Sequence, residues 1–168
     1  GIWLGNIGDR LDADVEATLE ENRFVRVPVS SSENSAYYLG YSNSAIWPLF
    51  HYLPERVRFS RSQFATYKEV NQRFADRIVS IAEPEDTIWV HDYHLMLLPA
   101  MIREQLPPAR IGFFLHIPFP SSEMFRLLPE REGILRGMLG ADVIGFHTYD
   151  YARHFISTAL RVLGIHMR

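Results

Sequence analysis

Short apolar segments alternate with longer segments of helical periodicity along the 168 residues, and this alternation constrains the fold more than any other feature. Four segments rich in β-branched or aromatic residues are predicted strands: 24–29, 87–90, 110–117 and 142–146. The last three are apolar almost throughout, which is typical of parallel strands covered by helices on both faces. The pattern therefore predicts an α/β fold with a doubly wound, mostly parallel sheet.

The segments between the predicted strands have the three-to-four-residue apolar spacing of helices. Predicted helices cover 64–81, 97–106, 124–139 and 151–163, with a shorter helix over 12–22. Ser60 and Gln63 form a candidate capping box before the first of these helices. Pro129 is expected to begin or kink the second part of the third helix. Thr148 and Gly164 are the expected cap and stop of the last.

Composition excludes several classes of protein. The 17 basic and 20 acidic residues give a formal net charge of −3 with both signs interspersed, so we expect no surface for nucleic acid or anionic membrane. The chain has no cysteine, which excludes disulfide and Cys-zinc scaffolds and, with no signal-peptide pattern, favours a cytoplasmic protein. No 18-residue apolar run is present, and the length fits about one domain.

Histidines follow three of the predicted strands. His91, His116 and His147 stand where these strands end, and Asp92 follows the first of them. Ligands of open α/β sheets bind outside the carboxyl ends of the strands. A single histidine there is usually a hydrogen-bonded core or loop residue. Three histidines at equivalent positions indicate a polar site.

A metal centre is one interpretation of this cluster. The side chains at the strand ends that could be ligands are His91, Asp92, His94, His116 and His147. Because His91 and Asp92 are adjacent on a strand end and point to opposite sides, they cannot both face one ion. A metal-dependent enzyme is therefore the weaker hypothesis, and we predict no metal and no cofactor. The sequence also lacks a nucleophile elbow, a Walker motif and a G-x-G-x-x-G fingerprint.

Residues 37–52 are unusually rich in aromatic and polar side chains. Trp and Tyr combine a flat apolar face with a hydrogen-bonding tip, which suits a sugar ring. The alternative is a helix and turn that pack these aromatics into the core, and for Phe50 and Tyr52 we expect this alternative. Composition alone leaves the two interpretations of the remaining aromatics equally open.

Three long motifs carry a family resemblance. They are YYLGYSNSAIWPLFHY at 37–52, WVHDYHLMLLPAMIRE at 89–104, and IGFFLHIPFPSSEMFRLLPEREGILRGMLGADVIGFHTYDYARHF at 111–155. From about Phe24 onward the chain resembles the trehalose-6-phosphate synthase family, the retaining glucosyltransferases of GT-B fold (glycosyltransferase family 20). The resemblance implies two Rossmann-like domains facing across a cleft. Residues 1–168 resemble the acceptor-side domain, expected to be incomplete at Gly1 and to lack the C-terminal donor-binding domain.

The resemblance also implies roles for individual residues. Tyr38 matches the tyrosine that contacts the acceptor phosphate, and Trp47 the tryptophan over the acceptor sugar. Asp92 matches the aspartate that binds acceptor hydroxyls, and His116 the histidine near the transferred glucose, so these two are the implied catalytic residues. Ile117 matches a residue lying against the acceptor's anomeric region. The arginines and lysine that hold phosphate groups in the family have no counterpart here.

The implied reaction transfers glucose from UDP-glucose to glucose 6-phosphate with retention, giving trehalose 6-phosphate and UDP. The expected partners are these two substrates, the chain's own C-terminal domain, and a homo-oligomer or trehalose-synthesis complex. The alternative is a catalytically silent regulatory or phosphatase-fused synthase-like domain of such a complex. In either case the isolated chain is expected not to turn over, because it would hold one side of a two-sided cleft.

Overall fold

The five strands in the described part of the chain pair only in parallel. The computed structural model describes residues 1–7 and 12–165. The strands are β1 Trp3–Gly5, β2 Phe24–Arg26, β3 Thr87–His91, β4 Arg110–Leu115 and β5 Val143–Phe146. β1 pairs with β2, while β3, β4 and β5 form a second sheet in that order. The predicted α/β fold class is confirmed, with β1 as a strand that the sequence pattern did not reveal.

Helices connect these strands. They are α1 Ala13–Glu21, α2 Ser31–Asn34, a π-helix Ser35–Ile46, α3 Trp47–Phe50, α4 Arg61–Ile81, α5 Leu98–Gln105, α6 Ser122–Phe125, α7 Arg131–Met138 and α8 Tyr149–Leu163. Two short 3-10 helices cover Pro54–Arg56 and Tyr93–Leu95. All five predicted helices are present, and the predicted helix 124–139 is divided into α6 and α7 around Pro129.

Most of the predicted helix ends are confirmed. The Thr148 side chain accepts a hydrogen bond from a backbone N–H at the start of α8, and Gly164 ends that helix in the left-handed conformation at φ 67°. Ser60 Oγ accepts from the Gln63 N–H at 3.4 Å, which is half of the predicted capping box. The reciprocal box is found at α2 instead, where a serine and a glutamate satisfy each other's backbone N–H groups.

The sheet β3–β4–β5 buries one face and leaves the other open among the described residues. Val90, Ile111, Phe113 and Leu115 are buried on the inner face with α5, α7 and α8. Gly137 brings α7 against the turn that follows β3, since a Cβ there would lie 2.4 Å from the carbonyl oxygen of residue 96. Two hydrogen bonds place this turn beside the π-helix: Tyr37 Oη donates to the His94 carbonyl oxygen, and Tyr93 Oη donates to Asn43 Oδ1.

Candidate functional site

The π-helix has a buried face with an unusual period. Tyr37, Tyr41, Ile46 and Phe50 are all buried, and they recur at intervals of four, five and four residues. A helix with i→i+5 hydrogen bonds has about 4.4 residues per turn, so Tyr37, Tyr41 and Ile46 lie along one line, and Phe50 continues it in the adjoining α3. The Trp47 N–H donates to the carbonyl oxygen five residues earlier, as this geometry requires.

The same geometry places Tyr38 and Trp47 together on the opposite, exposed face. Nine residues separate them, which is about two turns of a π-helix but two and a half turns of an α-helix, at 3.6 residues per turn. An α-helix would therefore direct them to opposite sides. Tyr38 is 42% exposed and Trp47 is 38% exposed. The π-helix is thus what brings the two predicted sugar-binding aromatics to one surface.

An imidazole supports each exposed ring. The Tyr38 ring stacks on the His94 ring with centroids 4.9 Å apart and an interplanar angle of 7°. The Trp47 ring stacks on the His51 ring at 3.9 Å, and His51 Nδ1 is 2.7 Å from the Trp47 carbonyl oxygen. Each aromatic ring is therefore contacted on one side by an imidazole and still exposes part of its surface to solvent.

Asp92 occupies a strained position immediately after β3. Its backbone has φ 73° and ψ 173°, a conformation that is nearly restricted to glycine and costs about 1–3 kcal/mol in other residues. Asp92 Oδ1 accepts hydrogen bonds from the Tyr93 N–H at 2.9 Å and from the His116 N–H at 3.1 Å. Within residues 1–7 and 12–165, Oδ2 has no hydrogen-bond donor. Strain of this kind is concentrated at functional sites.

Buried donors hold the turn after Asp92 from behind. Tyr67 Oη donates to the Tyr93 carbonyl oxygen at 2.8 Å, and the His94 carbonyl oxygen accepts from Tyr37 Oη at 3.1 Å and Asn71 Nδ2 at 3.0 Å. Burial raises the pKa of the Tyr37 and Tyr67 hydroxyls well above their usual value, so both remain protonated donors. The strained turn is therefore anchored by α4 and by the π-helix.

The three strand-end histidines meet at the edge of the sheet, as predicted. His91 Nδ1 lies 3.0 Å from His116 Nε2, and the His116 and His147 ring centroids are 5.7 Å apart. Burial, together with the neighbouring His116, lowers the pKa of His91. One ring of the His91–His116 pair donates and the other accepts, so the pair fixes the tautomer of both rings.

His94 does not join these histidines. It packs under Tyr38, where burial lowers its pKa. Among residues 1–7 and 12–165, no group of three or more histidine, aspartate or glutamate side chains is arranged to hold a metal ion. In the same part of the chain, no helix has the length and apolar character to cross a membrane.

The remaining expectations have mixed outcomes. Phe50 is fully buried, as predicted, but Tyr52 is 47% exposed, so its assignment to the core is wrong. Tyr52 has a positive φ of 60° just beyond α3, and this turn carries its ring outward while Oη accepts the Ser121 N–H at 2.7 Å. Ile117 is buried, two residues after the end of β4. The sequence pattern did not single out Asn43, whose Oδ1 accepts a hydrogen bond from Tyr93 Oη at 2.9 Å.

The parallel α/β fold with a polar site at the carboxyl ends of its strands defines the class of Rossmann-like ligand-binding domains. Residues 2–168 match the sequence profile of glycosyltransferase family 20, and the chain belongs to that family. The family resemblance predicted from the three motifs is therefore confirmed.

Individual relatives are similar over nearly the whole chain. The UDP-forming α,α-trehalose-phosphate synthase A of Dictyostelium discoideum is 47% identical over 98% of this chain and 23% of its own length. Two solved structures share the fold. The UDP-forming synthase of Burkholderia xenovorans in complex with glucose-6-phosphate has a TM-score of 0.79, 34% identity, and coverage of 83% of this chain and 31% of its own. The N-terminal domain of Candida albicans trehalose-6-phosphate phosphatase has a TM-score of 0.80, 37% identity, and coverage of 94% and 35%.

The chain thus spans about a quarter to a third of the length of its relatives. The fraction is 23% for the D. discoideum synthase and 35% for the 56 kDa synthase subunit of Saccharomyces cerevisiae.

Proposed function

We propose that this chain is the acceptor-binding side of a UDP-forming α,α-trehalose-phosphate synthase, which transfers glucose from UDP-glucose to the anomeric hydroxyl of glucose 6-phosphate with retention. The observation that carries this proposal is the exposed face of the π-helix, which Tyr38 and Trp47 share, and where the Tyr38 ring stacks on His94, two residues after the strained Asp92. The names of the D. discoideum and B. xenovorans relatives and the glucose-6-phosphate bound to the latter support it.

Trp47, Tyr38 and Asp92 are each assigned to a different part of the acceptor, glucose 6-phosphate. Trp47 offers a flat apolar face to the sugar ring, and Tyr38 offers an O–H donor to a phosphate oxygen. Asp92 Oδ2 is a charged acceptor for sugar hydroxyls, which orients the ring through strong hydrogen bonds. Because Oδ1 is already committed to the Tyr93 and His116 N–H groups, Asp92 presents one defined oxygen.

By the family resemblance, we assign His116 to the transferred glucose and Ile117 to the acceptor's anomeric region. His91 Nδ1 and His116 Nε2 share a hydrogen bond at 3.0 Å, and this bond fixes the tautomer of His116. Retention then proceeds by attack on the same face as the departing diphosphate, and a phosphate oxygen removes the acceptor proton. The protein contributes orientation and electrostatic stabilisation of an oxocarbenium-like state, without a nucleophile of its own.

The donor side is assigned to a second domain. Tyr38 supplies no charge, so a cation must neutralise the acceptor phosphate, and the UDP-glucose site needs further cations. Residues 1–168 then form the acceptor side, and alone they would not turn over. The cysteine-free sequence suits the reducing cytoplasm, which we propose as its compartment. Assembly into a homo-oligomer or a trehalose-synthesis complex belongs to the same proposal.

The test uses the complete product of the gene that encodes this sequence, supplied with UDP-glucose and glucose 6-phosphate. UDP release should require both substrates. Asp92→Asn keeps the shape of the side chain but removes its charge, so kcat/KM should fall by about 100-fold, the value of a charged hydrogen bond. The matched control Asp150→Asn changes an exposed aspartate on α8 that pairs with Arg153 and should leave turnover unchanged.

A catalytically silent domain is the second candidate, and the similarity to the N-terminal domain of the C. albicans phosphatase favours it. In that case the complete protein would release no UDP and would instead bind a catalytic partner in a pull-down. Glucose-6-phosphate-dependent UDP release would exclude this candidate.

A further inference from the structure

Asn43 lies between the two sugar-binding aromatics on the exposed face of the π-helix. It follows Tyr38 by five residues and precedes Trp47 by four, so the three side chains occupy successive turns of one face. Its side chain is half-buried. Asn43 Oδ1 accepts a hydrogen bond from Tyr93 Oη at 2.9 Å. Within the described residues Nδ2 has no hydrogen-bond partner, and it is not sealed from solvent.

Tyr93 determines which end of the Asn43 amide faces outward. The Tyr93 ring is buried and packs on the His94 ring with centroids 3.9 Å apart. Burial and the nearby Asp92 charge raise the pKa of Tyr93 to about 12, so its hydroxyl stays protonated, and in the structure it donates to Asn43 Oδ1. A donor on this side requires the amide oxygen as its acceptor. The amide nitrogen is then the end that remains available on the face shared with Tyr38 and Trp47.

We propose that Asn43 is a third acceptor-binding residue on this face, whose Nδ2 donates to a hydroxyl oxygen of the sugar 6-phosphate. The inference rests on the proposed function and adds to it a group that distinguishes hydroxylated acceptors from deoxy ones. Asp92 can only accept hydrogen bonds, whereas Asn43, whose oxygen accepts from Tyr93 Oη, presents the donor Nδ2. Each sugar hydroxyl can both donate and accept, so the two residues satisfy complementary halves of the ring's hydrogen-bonding capacity.

A purely structural role for Asn43, as the acceptor for Tyr93 Oη, makes a different prediction. That role would make Asn43→Ala less stable, but the variant would still distinguish glucose 6-phosphate from its deoxy analogues as the unsubstituted protein does. The discriminating measurement is therefore a comparison of glucose 6-phosphate with its 2-deoxy, 3-deoxy and 4-deoxy analogues. Calorimetric titration of the complete gene product gives the Kd of each ligand, and thermal unfolding records stability separately.

The unsubstituted protein should bind one of the three analogues about fivefold to tenfold more weakly than glucose 6-phosphate, the range of one neutral hydrogen bond. Asn43→Ala should bind glucose 6-phosphate as weakly as that analogue and should no longer distinguish the two. Tyr93→Phe keeps Asn43 but frees its amide, so the discrimination should shrink without vanishing. This second variant keeps the test valid if Asn43→Ala does not fold. The matched control Ser44→Ala removes a neighbouring hydroxyl bonded to the Leu39 carbonyl oxygen and should keep full discrimination.

Equal weakening of all four ligands by Asn43→Ala, or an unchanged Kd for glucose 6-phosphate, would overturn the role of Asn43 and leave the proposed function intact. An unsubstituted protein that binds no glucose 6-phosphate would overturn both.

Discussion

The two faces of the π-helix carry the same kinds of residue, but they differ in what happens to the polar tips. On the buried face, Tyr37 Oη donates to the His94 carbonyl oxygen and Tyr41 Oη donates to Glu130 Oε2 at 3.0 Å. On the exposed face, Tyr38 Oη has no hydrogen-bond partner within the described residues. The hydroxyls of Tyr37 and Tyr41 form hydrogen bonds inside the protein, whereas the Tyr38 hydroxyl stays available for other partners. Residue type alone does not separate the two roles; the period of the helix does.

The largest expected effect tests the buried face. Phe50 is fully buried and packs against Phe119 and Phe125, with ring centroids 5.5 and 5.9 Å away. Phe50→Ala should lower the free energy of unfolding by about 3–5 kcal/mol, because it removes the transfer energy of the ring and leaves a cavity. Urea denaturation measures this loss. The control Tyr52→Ala removes an exposed aromatic two residues later and should cost far less; equal losses would contradict the division between the faces.

The adjacent pair Tyr37 and Tyr38 gives the sharpest version of the comparison. Tyr38→Phe should weaken glucose 6-phosphate binding about fivefold to tenfold and change the unfolding free energy by less than about 0.5 kcal/mol. Tyr37→Phe should do the reverse, costing about 1 kcal/mol of stability for the lost hydrogen bond to His94 and leaving affinity unchanged. Calorimetric titration of both variants measures the Kd for glucose 6-phosphate, and urea denaturation measures the free energy of unfolding. Affinity loss in Tyr37→Phe alone would mean that the faces are exchanged.

Most of the fold could be predicted from the sequence because its strands and long helices have strong periodic patterns. The segments 87–90 and 110–117 correspond to β3 and β4, and the stripe of 64–81 corresponds to α4. β1 has only three residues, and the apolar run that includes it, Ile2–Leu4, is equally short, so periodicity carried too little signal for it. Tyr52 was misassigned because composition cannot reveal a positive φ, which turns its side chain outward.

The site could be predicted in its parts but not in its arrangement. Parallel strands bring their carboxyl ends to one edge, so the meeting of His91, His116 and His147 followed from strand order alone. The pairing of Asp92 with the His116 N–H depends on a strained backbone that no local pattern indicates. Tyr38 and Trp47 share a surface only in a π-helix, which is rare enough that α-helical spacing is the ordinary expectation.

A smaller effect tests the ion pair that attaches α2, and with it the start of the π-helix, to α4. Glu33, in α2, makes a two-pronged ion pair with Arg73 on α4, with Nη1–Oε2 at 3.1 Å and Nη2–Oε1 at 2.5 Å. The hydrogen bond from Arg73, followed by that from the Ser30 backbone N–H, lowers the pKa of Glu33 to about 2. Glu33→Gln should lower the free energy of unfolding by about 1 kcal/mol at neutral pH. The loss is small because the ion pair is partly exposed.

The pH dependence of the Glu33 contribution has a defined sign. The folded pKa lies below the ordinary value of 4.5, so the unfolded state binds the proton first as the pH falls. The contribution is complete above about pH 4.5 and is lost progressively toward pH 2. The stability difference between the unsubstituted protein and Glu33→Gln should therefore shrink between pH 5 and pH 3 in urea denaturation. A constant difference over this range would contradict the assignment.

The smallest expected effect concerns His94, which links the two faces because its ring lies under Tyr38 and its carbonyl oxygen accepts from Tyr37. Burial lowers the pKa of His94, and the nearby Asp92 charge opposes this only in part. An unfolded histidine binds its proton near pH 6.5 and the folded one at lower pH, so stability is complete above about pH 6.5 and falls as the pH decreases. His94→Gln should lose less stability than the unsubstituted protein between pH 7.5 and pH 5.5. Urea denaturation at several pH values measures this difference. The same pH dependence in His94→Gln as in the unsubstituted protein would contradict the assignment to His94.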